Sequence, residues 1–330
     1  MRQNVVDSFI LALLNTTDMN KMFYSLAVFA LVACGGGSSS DSPEPTPNPT
    51  PTPTPTVGNV NKNDASENPY LARLEMPKTK SGSKVITHAT AHFGVTYSIE
   101  WDSNIRAQRW TCYDLNKKNV ATNGNTRKKL WPDGDPWALD PDIPSSEQQA
   151  AYSELSKSYY PGSTTAYYEK GHICPSMDRL NSKDANEQTY YMTNILPMVS
   201  NFNGKLWQKM ETQVNTWGKA LADGDTLFVC KGGTIDKADQ ILGKTIGNHV
   251  VPKYFFMALY AKTSSGHKML GFWAEHLNED KSGDALKGYV VSIDELEEKT
   301  GIDFFCNVAD TLEEQLESKK PADIITAWGL

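Results

Sequence analysis

The chain has 330 residues, 22% of them charged and 39% hydrophobic, with a formal net charge of −7. That length exceeds one average domain, but the N-terminal stretch offers little to bury, so one globular unit over residues 85–330 is the simplest reading. The negative balance excludes a protein that captures polyanions through a global positive field; such a partner would need a local cationic cluster.

In chain order, Met19-Asn20-Lys21 is a short basic start, and Met22 to Val32 is an apolar run too short to span a bilayer. Leu31-Val32-Ala33-Cys34-Gly35 is a small-residue cleavage site ending in cysteine. The pattern resembles a bacterial lipoprotein signal. Residues 1–33 are therefore expected to be a signal peptide, with 1–18 an upstream start-site artefact. Cys34 would carry a lipid that fastens the chain to the membrane of the cell envelope, at the outer membrane or cell surface. Ser42 to Thr56 is nearly all proline and threonine, which favours extended polyproline II, and Gly58 to Ser81 is polar. Residues 34–84 thus read as a disordered linker behind the lipidated cysteine.

Strand-like patterns begin at Val85-Ile86 and Phe93 to Ile99, and Arg109 to Leu115 repeats the alternation after a polar turn, which predicts an antiparallel hairpin. Trp131 to Pro144 is crowded with Pro, Gly and Asp and reads as loop, whereas Ser145 to Leu155 has helix-forming composition with a serine cap. Further along, Leu206, Met210, Val214, Trp217 and Leu221 form a helical core stripe. Apolar runs at Thr226 to Cys230, Tyr254 to Tyr260 and Met269 to Trp273 predict more strands. Ser292-Ile293-Asp294-Glu295 is a capping box for a helix that ends at Gly301. Interspersed strands and helices point to an α+β fold with a mixed, mainly antiparallel central sheet flanked by helices. Cys112, Cys174, Cys230 and Cys306 are even in number for an exported chain, so one or two disulfides are expected, with the pairing open.

Two segments carry the chemistry: Tyr168-Glu169-Lys170-Gly171-His172-Ile173-Cys174-Pro175, and Asn203-Gly204-Lys205-Leu206-Trp207-Gln208-Lys209-Met210-Glu211. The first sets a base-capable histidine where a strand gives way to a turn. The second sets a carboxamide and a carboxylate on one helix, where Asn203, Trp207 and Glu211 recur every fourth residue and so share a side. A proton acceptor, an oxygen ligand for a hard cation and a cationic side chain are the parts needed to cut a phosphodiester with one metal ion.

The paired segments resemble the signature of the DNA/RNA non-specific endonucleases of the ββα-metal superfamily, whose core reads Asp-Arg-Gly-His ahead of an Asn-x-x-x-Trp-x-x-x-Glu helix. The resemblance implies a metal-dependent endonuclease acting on DNA, RNA or both, leaving 5′-phosphate products. His172 would be the general base, Asn203 the direct ligand of one Mg²⁺ or Mn²⁺, and Glu211 the holder of a metal-bound water. Asn194 would brace the site, and Gly171 would let the backbone approach the metal. Lys170 stands where the family has arginine and Glu169 where it has aspartate; lysine cannot make the bidentate guanidinium contact with phosphate, and Glu169 reads as an anchor. Trp137-Ala138-Leu139-Asp140-Pro141 matches a family segment that usually follows a phosphate-binding arginine; the positions just before it hold Asp133 and Asp135, the closest cations are Arg127, Lys128 and Lys129, and Arg127 is the candidate taken. The rival reading is a membrane-tethered nucleic-acid-binding or adhesin-like lipoprotein with a decayed active site. A homodimer stays open.

Overall fold

The computed structural model describes residues 58–148 and 152–330, with the side chains of 152 and 153 left aside. The signal peptide, Cys34 and the Pro/Thr stalk lie outside the described residues. The strands are β1 (Lys84–Thr90), β2 (Gly94–Asp102), β3 (Ala107–Leu115), β4 (Tyr168–His172), β5 (Ile195–Val199), β6 (Thr226–Gly233), β7 (Ile241–Lys244), β8 (Val250–Pro252), β9 (Tyr254–Thr263), β10 (Gly266–Glu275) and β11 (Val290–Val291). The helices are α1 (Arg127–Leu130), α2 (Lys183–Gln188), α3 (Gln208–Lys219), α4 (Ile293–Thr300), α5 (Asp310–Glu317) and α6 (Pro321–Trp328).

Seven strands form one sheet in the order β1-β2-β3-β6-β9-β10-β11, and every neighbouring pair is antiparallel. Its two faces support separate cores. Along β9, Phe255, Met257 and Leu259 enter one core, while Phe256, Ala258 and Tyr260 enter the other, the split that a period of two dictates. The turn leading into α3 packs Leu206, and α3 packs Met210 and Val214, into the first core; α4 and α5 place Ile293, Leu296 and Leu316 in the second. The alternation in β2 suggested one buried and one wet face, but Tyr97 to Trp101 are all buried. Ser98 and Glu100 tolerate this because their polar atoms are used: Ser98 bonds Thr87 at 2.9 Å, and Glu100 pairs with Arg109 at 2.5 Å.

Four expectations are corrected. Residues 58–84 are packed. Asn59 donates to the Cys306 carbonyl at 2.9 Å, the Asn63 backbone N–H donates to Asn307 Oδ1 at 3.1 Å, and Met76 is fully buried. The expected helix at Ser145 to Leu155 is instead two 3₁₀ segments, Ser145–Glu147 and Tyr152–Lys157. Gln148 ends the first because its side chain folds back to the Asp140 N–H and to the carbonyls of Asp140 and Ile143, holding its backbone extended. The four cysteines are buried free thiols: Cys112 and Cys230 face each other across β3 and β6, yet Cys112 Sγ contacts Met76 Sδ at 3.3 Å and no disulfide forms. Finally, Gly171 answers to Met198, since a Cβ there would lie 2.3 Å from its Sδ; the tight approach is to the neighbouring strand.

Candidate active site

β4 and β5 form a separate antiparallel pair in which His172 faces Ile195, and the chain then turns into a helix, giving a strand-strand-helix unit. That helix opens as a π segment, Phe202–Trp207, before α3. The Gln208 N–H reaches back to the Asn203 carbonyl, five residues earlier, a wider turn that is common where a helix serves a site. Asn203 therefore sits within the first turn of the helix, and Asn201 occupies the cap position.

The unit opens onto a cleft of about 690 Å³ whose lining includes Arg127, Glu169, Lys170, His172, Asn203 and Glu211. All five cleft-facing residues anticipated as catalytic or metal-binding thus come together from β4, α1 and the π-to-α helix. Asn194 is the exception by design of its position: it is fully buried behind the cleft, donating to the carbonyls of Cys174 and Thr189 and accepting from the Cys174 N–H at 2.9 Å. These bonds tie the turn after His172 to the segment before β5.

His172 stands in an aromatic slot. Its ring centroid is 5.1 Å from that of Trp137 and 5.1 Å from that of Tyr190, edge-on. Although the residue keeps some exposed surface, Nε2 is shielded and makes no hydrogen bond. Desolvation, helped by the Arg127 and Lys170 charges and opposed by Asp135, pulls its pKa down to about 3, so the imidazole is neutral at pH 7. The slot is capped by cations: Lys170 Nζ lies 4.6 Å from the Trp137 ring centre and the Arg127 guanidinium 5.3 Å from that of Tyr190. Arg127 is held by both oxygens of Asp135, with Nε at 2.7 Å. The Trp207 indole N–H donates to the His172 carbonyl at 3.1 Å.

Across the cleft, Glu169 accepts from Ser200 at 2.8 Å and from the Asn203 NH₂ at 2.9 Å. This fits the anchoring role anticipated for it. Because the Asn203 NH₂ is turned to Glu169, its carbonyl oxygen is the end left for a cation. Glu211 is buried with an Oε1 that accepts no hydrogen bond, and desolvation raises its pKa to about 7 against the pull of Lys231. An oriented carboxamide oxygen and a carboxylate that accepts no short hydrogen bond fit a hard, oxygen-seeking cation. Lys231, fully buried with Nζ 3.7 Å from Glu211 Oε1, and Tyr190 were not anticipated. A second His/Asp group, His88, Asp140 and Asp142, lies elsewhere: His88 Nε2 bonds Asp140 at 2.9 Å, Nδ1 is 3.4 Å from Asp142, and the group latches the loop before Ile143 to β1.

Comparison with known proteins gives a consistent result. The sequence profile described as DNA/RNA non-specific endonuclease matches residues 77–311. A nuclease of Nostoc sp. is 27% identical over 231 residues, covering 68% of this chain and 76% of that protein. The nuclease of Serratia marcescens is 23% identical, covering 72% and 81%, and human mitochondrial endonuclease G is 22% identical, covering 64% and 68%. The fold resembles that in the crystal structure of the EndoG/EndoGI complex, with a TM-score of 0.55 at 17% identity, over 71% of this chain and 91% of that one.

Proposed function

We propose, since this chain belongs to the DNA/RNA non-specific endonuclease family, that its cleft hydrolyses DNA or RNA phosphodiesters with one Mg²⁺-type ion to leave 5′-phosphate ends. The carrying observation is the convergence of a neutral, unbonded imidazole and an amide-oriented Asn203 on one cleft.

Asn203 would hold the ion through its carbonyl oxygen, with the Glu211 carboxylate close by to accept from water; when bound, the ion supplies Lewis acidity toward the scissile phosphate. His172 takes the proton of the attacking water. Its depressed pKa keeps it unprotonated before substrate arrives, and an incoming phosphate, by placing negative charge beside the ring, moves the pKa back toward the range where the imidazole can accept a proton. Lys170 and Arg127 sit on either side of the aromatic slot and balance phosphate charge, which meets the need for a local cationic cluster on an acidic chain. Trp207 and Asn194 hold the backbone at the base and just after it, at the His172 carbonyl and at the peptide groups of Cys174.

The test is incubation of the purified protein with plasmid and RNA, with Mg²⁺ or with EDTA. Magnesium-dependent cutting that His172→Ala reduces by about a thousandfold or more, near the upper part of the range for general-base loss, with an unchanged melting curve, is expected. Absence of cutting at every pH tried would favour the tethered binding protein instead.

A further inference from the structure

On the face of the sheet opposite the cleft, α4 and α5 bring carboxylates together without a balancing cation. Asp294 and Glu297 lie one helical turn apart on α4, and Glu317 ends α5; one oxygen from each lies within 4.8 Å of the others. Glu317 is 8% exposed, and its Oε1 accepts no hydrogen bond from the protein. After desolvation, the charges acting on it are those of Glu297, Glu313, Asp294 and Asp303, all carboxylates. Leaving an acceptor orphaned in a dry, negative environment is costly unless a positive partner occupies it.

We infer that Asp294, Glu297 and Glu317 form a binding site for a calcium-sized divalent cation that clamps α4 to α5. Oxygens this close together can reach a single ion, and the flexible shell of calcium, with oxygen ligands at about 2.3–2.6 Å, accommodates three carboxylates from two helices more readily than the strict octahedron of magnesium. Glu297 already gives Oε1 to the Phe304 N–H at 2.7 Å, which steers its other oxygen. Asp294 is exposed and provides the entry, with open coordination positions on the solvent side. Burial and mutual repulsion raise the pKa of Glu297 to about 8 and of Glu317 to about 9, so the competitor for the site is the proton, and binding the ion releases protons. The site is independent of the nuclease chemistry, and its failure would leave the cleft reading untouched.

The experiment is thermal unfolding and calorimetric titration of the full chain, stripped with EDTA and dialysed, with CaCl₂ as the probe at pH 7.5. Calcium should raise the wild-type melting temperature. Glu317→Gln should weaken the calcium affinity at least about tenfold while melting higher than wild type in the absence of calcium, and Asp294→Asn, a surface change that cannot unfold the domain, should weaken it by a smaller factor. Any contribution from the cleft is common to all three proteins and cancels. A calcium effect that is absent in wild type, or equal in wild type and both variants, overturns the site and leaves the cluster as buried neutral acids.

Discussion

Lys231 brings a positive charge, wholly removed from solvent, to within 3.7 Å of the carboxylate that faces the cleft. Its effect on Glu211 opposes desolvation, so it lowers a pKa that burial has pushed up to about 7. Replacing it by methionine, which fills similar space between the rings of Tyr113 and Trp207, removes the opposing charge and sends the Glu211 pKa higher. In Lys231→Met the acid limb of the kcat/KM profile should therefore move to higher pH, with activity at pH 7 falling at least about tenfold while much of it returns at pH 9, as expected for a shift of one or more pKa units. A loss of equal size at every pH would show that the lysine acts only structurally. His172, Asn203 and Glu211 were readable in the sequence because each belongs to a short local motif. Lys231 was not, because it ends an apolar strand run, and only the register of β3, β6 and β9 carries it to the helix bearing Glu211. The bond from Asn203 to Glu169 spans 34 positions, and no local spacing encodes it.

At the level of elements, β4 and β5 present the base to the helix, and their separation is set by Gly171 against Met198. A Cβ at position 171 would meet the Met198 Sδ at 2.3 Å, closer than any real contact; Met198 is wholly buried, so its side chain must repack in the core or the strands must part, and parting them moves His172, one residue on. Gly171→Ala should lower kcat by about a hundredfold, a typical penalty for misplacing a catalytic group by about an ångström. Adding Met198→Ala should recover most of the activity, though not the stability, since it leaves a cavity. A double-mutant cycle read in both kcat and melting temperature checks this, and additive effects would dissociate the two residues. The strands were legible from alternation and the α4 helix from its Ser292 cap and its left-handed Gly301, φ 73°. Residues 58–84 were not, because they are ordered by side-chain bonds to partners such as Cys306, 247 positions away, rather than by apolar periodicity. The Ser145 segment had helical composition, but Gln148 spends its side chain on the Asp140 loop, a tertiary demand that overrides propensity.

For the whole molecule, buried acids and buried histidines set opposite limits on stability. Glu211 and Glu313 are raised to about 7, Glu297 to about 8 and Glu317 to about 9, in each case first by desolvation. A carboxyl whose folded pKa exceeds its unfolded value contributes stability that is complete below the unfolded value of about 4.5 and is lost as pH rises through the folded one. His172, lowered to about 3, and His276, lowered to about 4 where it bonds the Pro252 carbonyl and the Val199 N–H, act the other way. Their contribution is complete above about 6.5 and is lost as pH falls toward those folded values. Between pH 9 and pH 6.5 these acids act in one direction, each taking up a proton on folding once the pH is below its folded value, and the buried thiols, also raised by desolvation, act in the same sense near pH 9. In EDTA the melting temperature should thus rise on acidification from pH 9 to 6.5 by at least about 2 °C, the response of a domain this size to roughly 1 kcal/mol, and then fall below about pH 5 as the histidines are forced to charge. Scanning calorimetry across that range checks the sign, and a melting temperature that climbs steadily toward pH 9 would mean that these carboxyls are ionised and solvated in the folded protein.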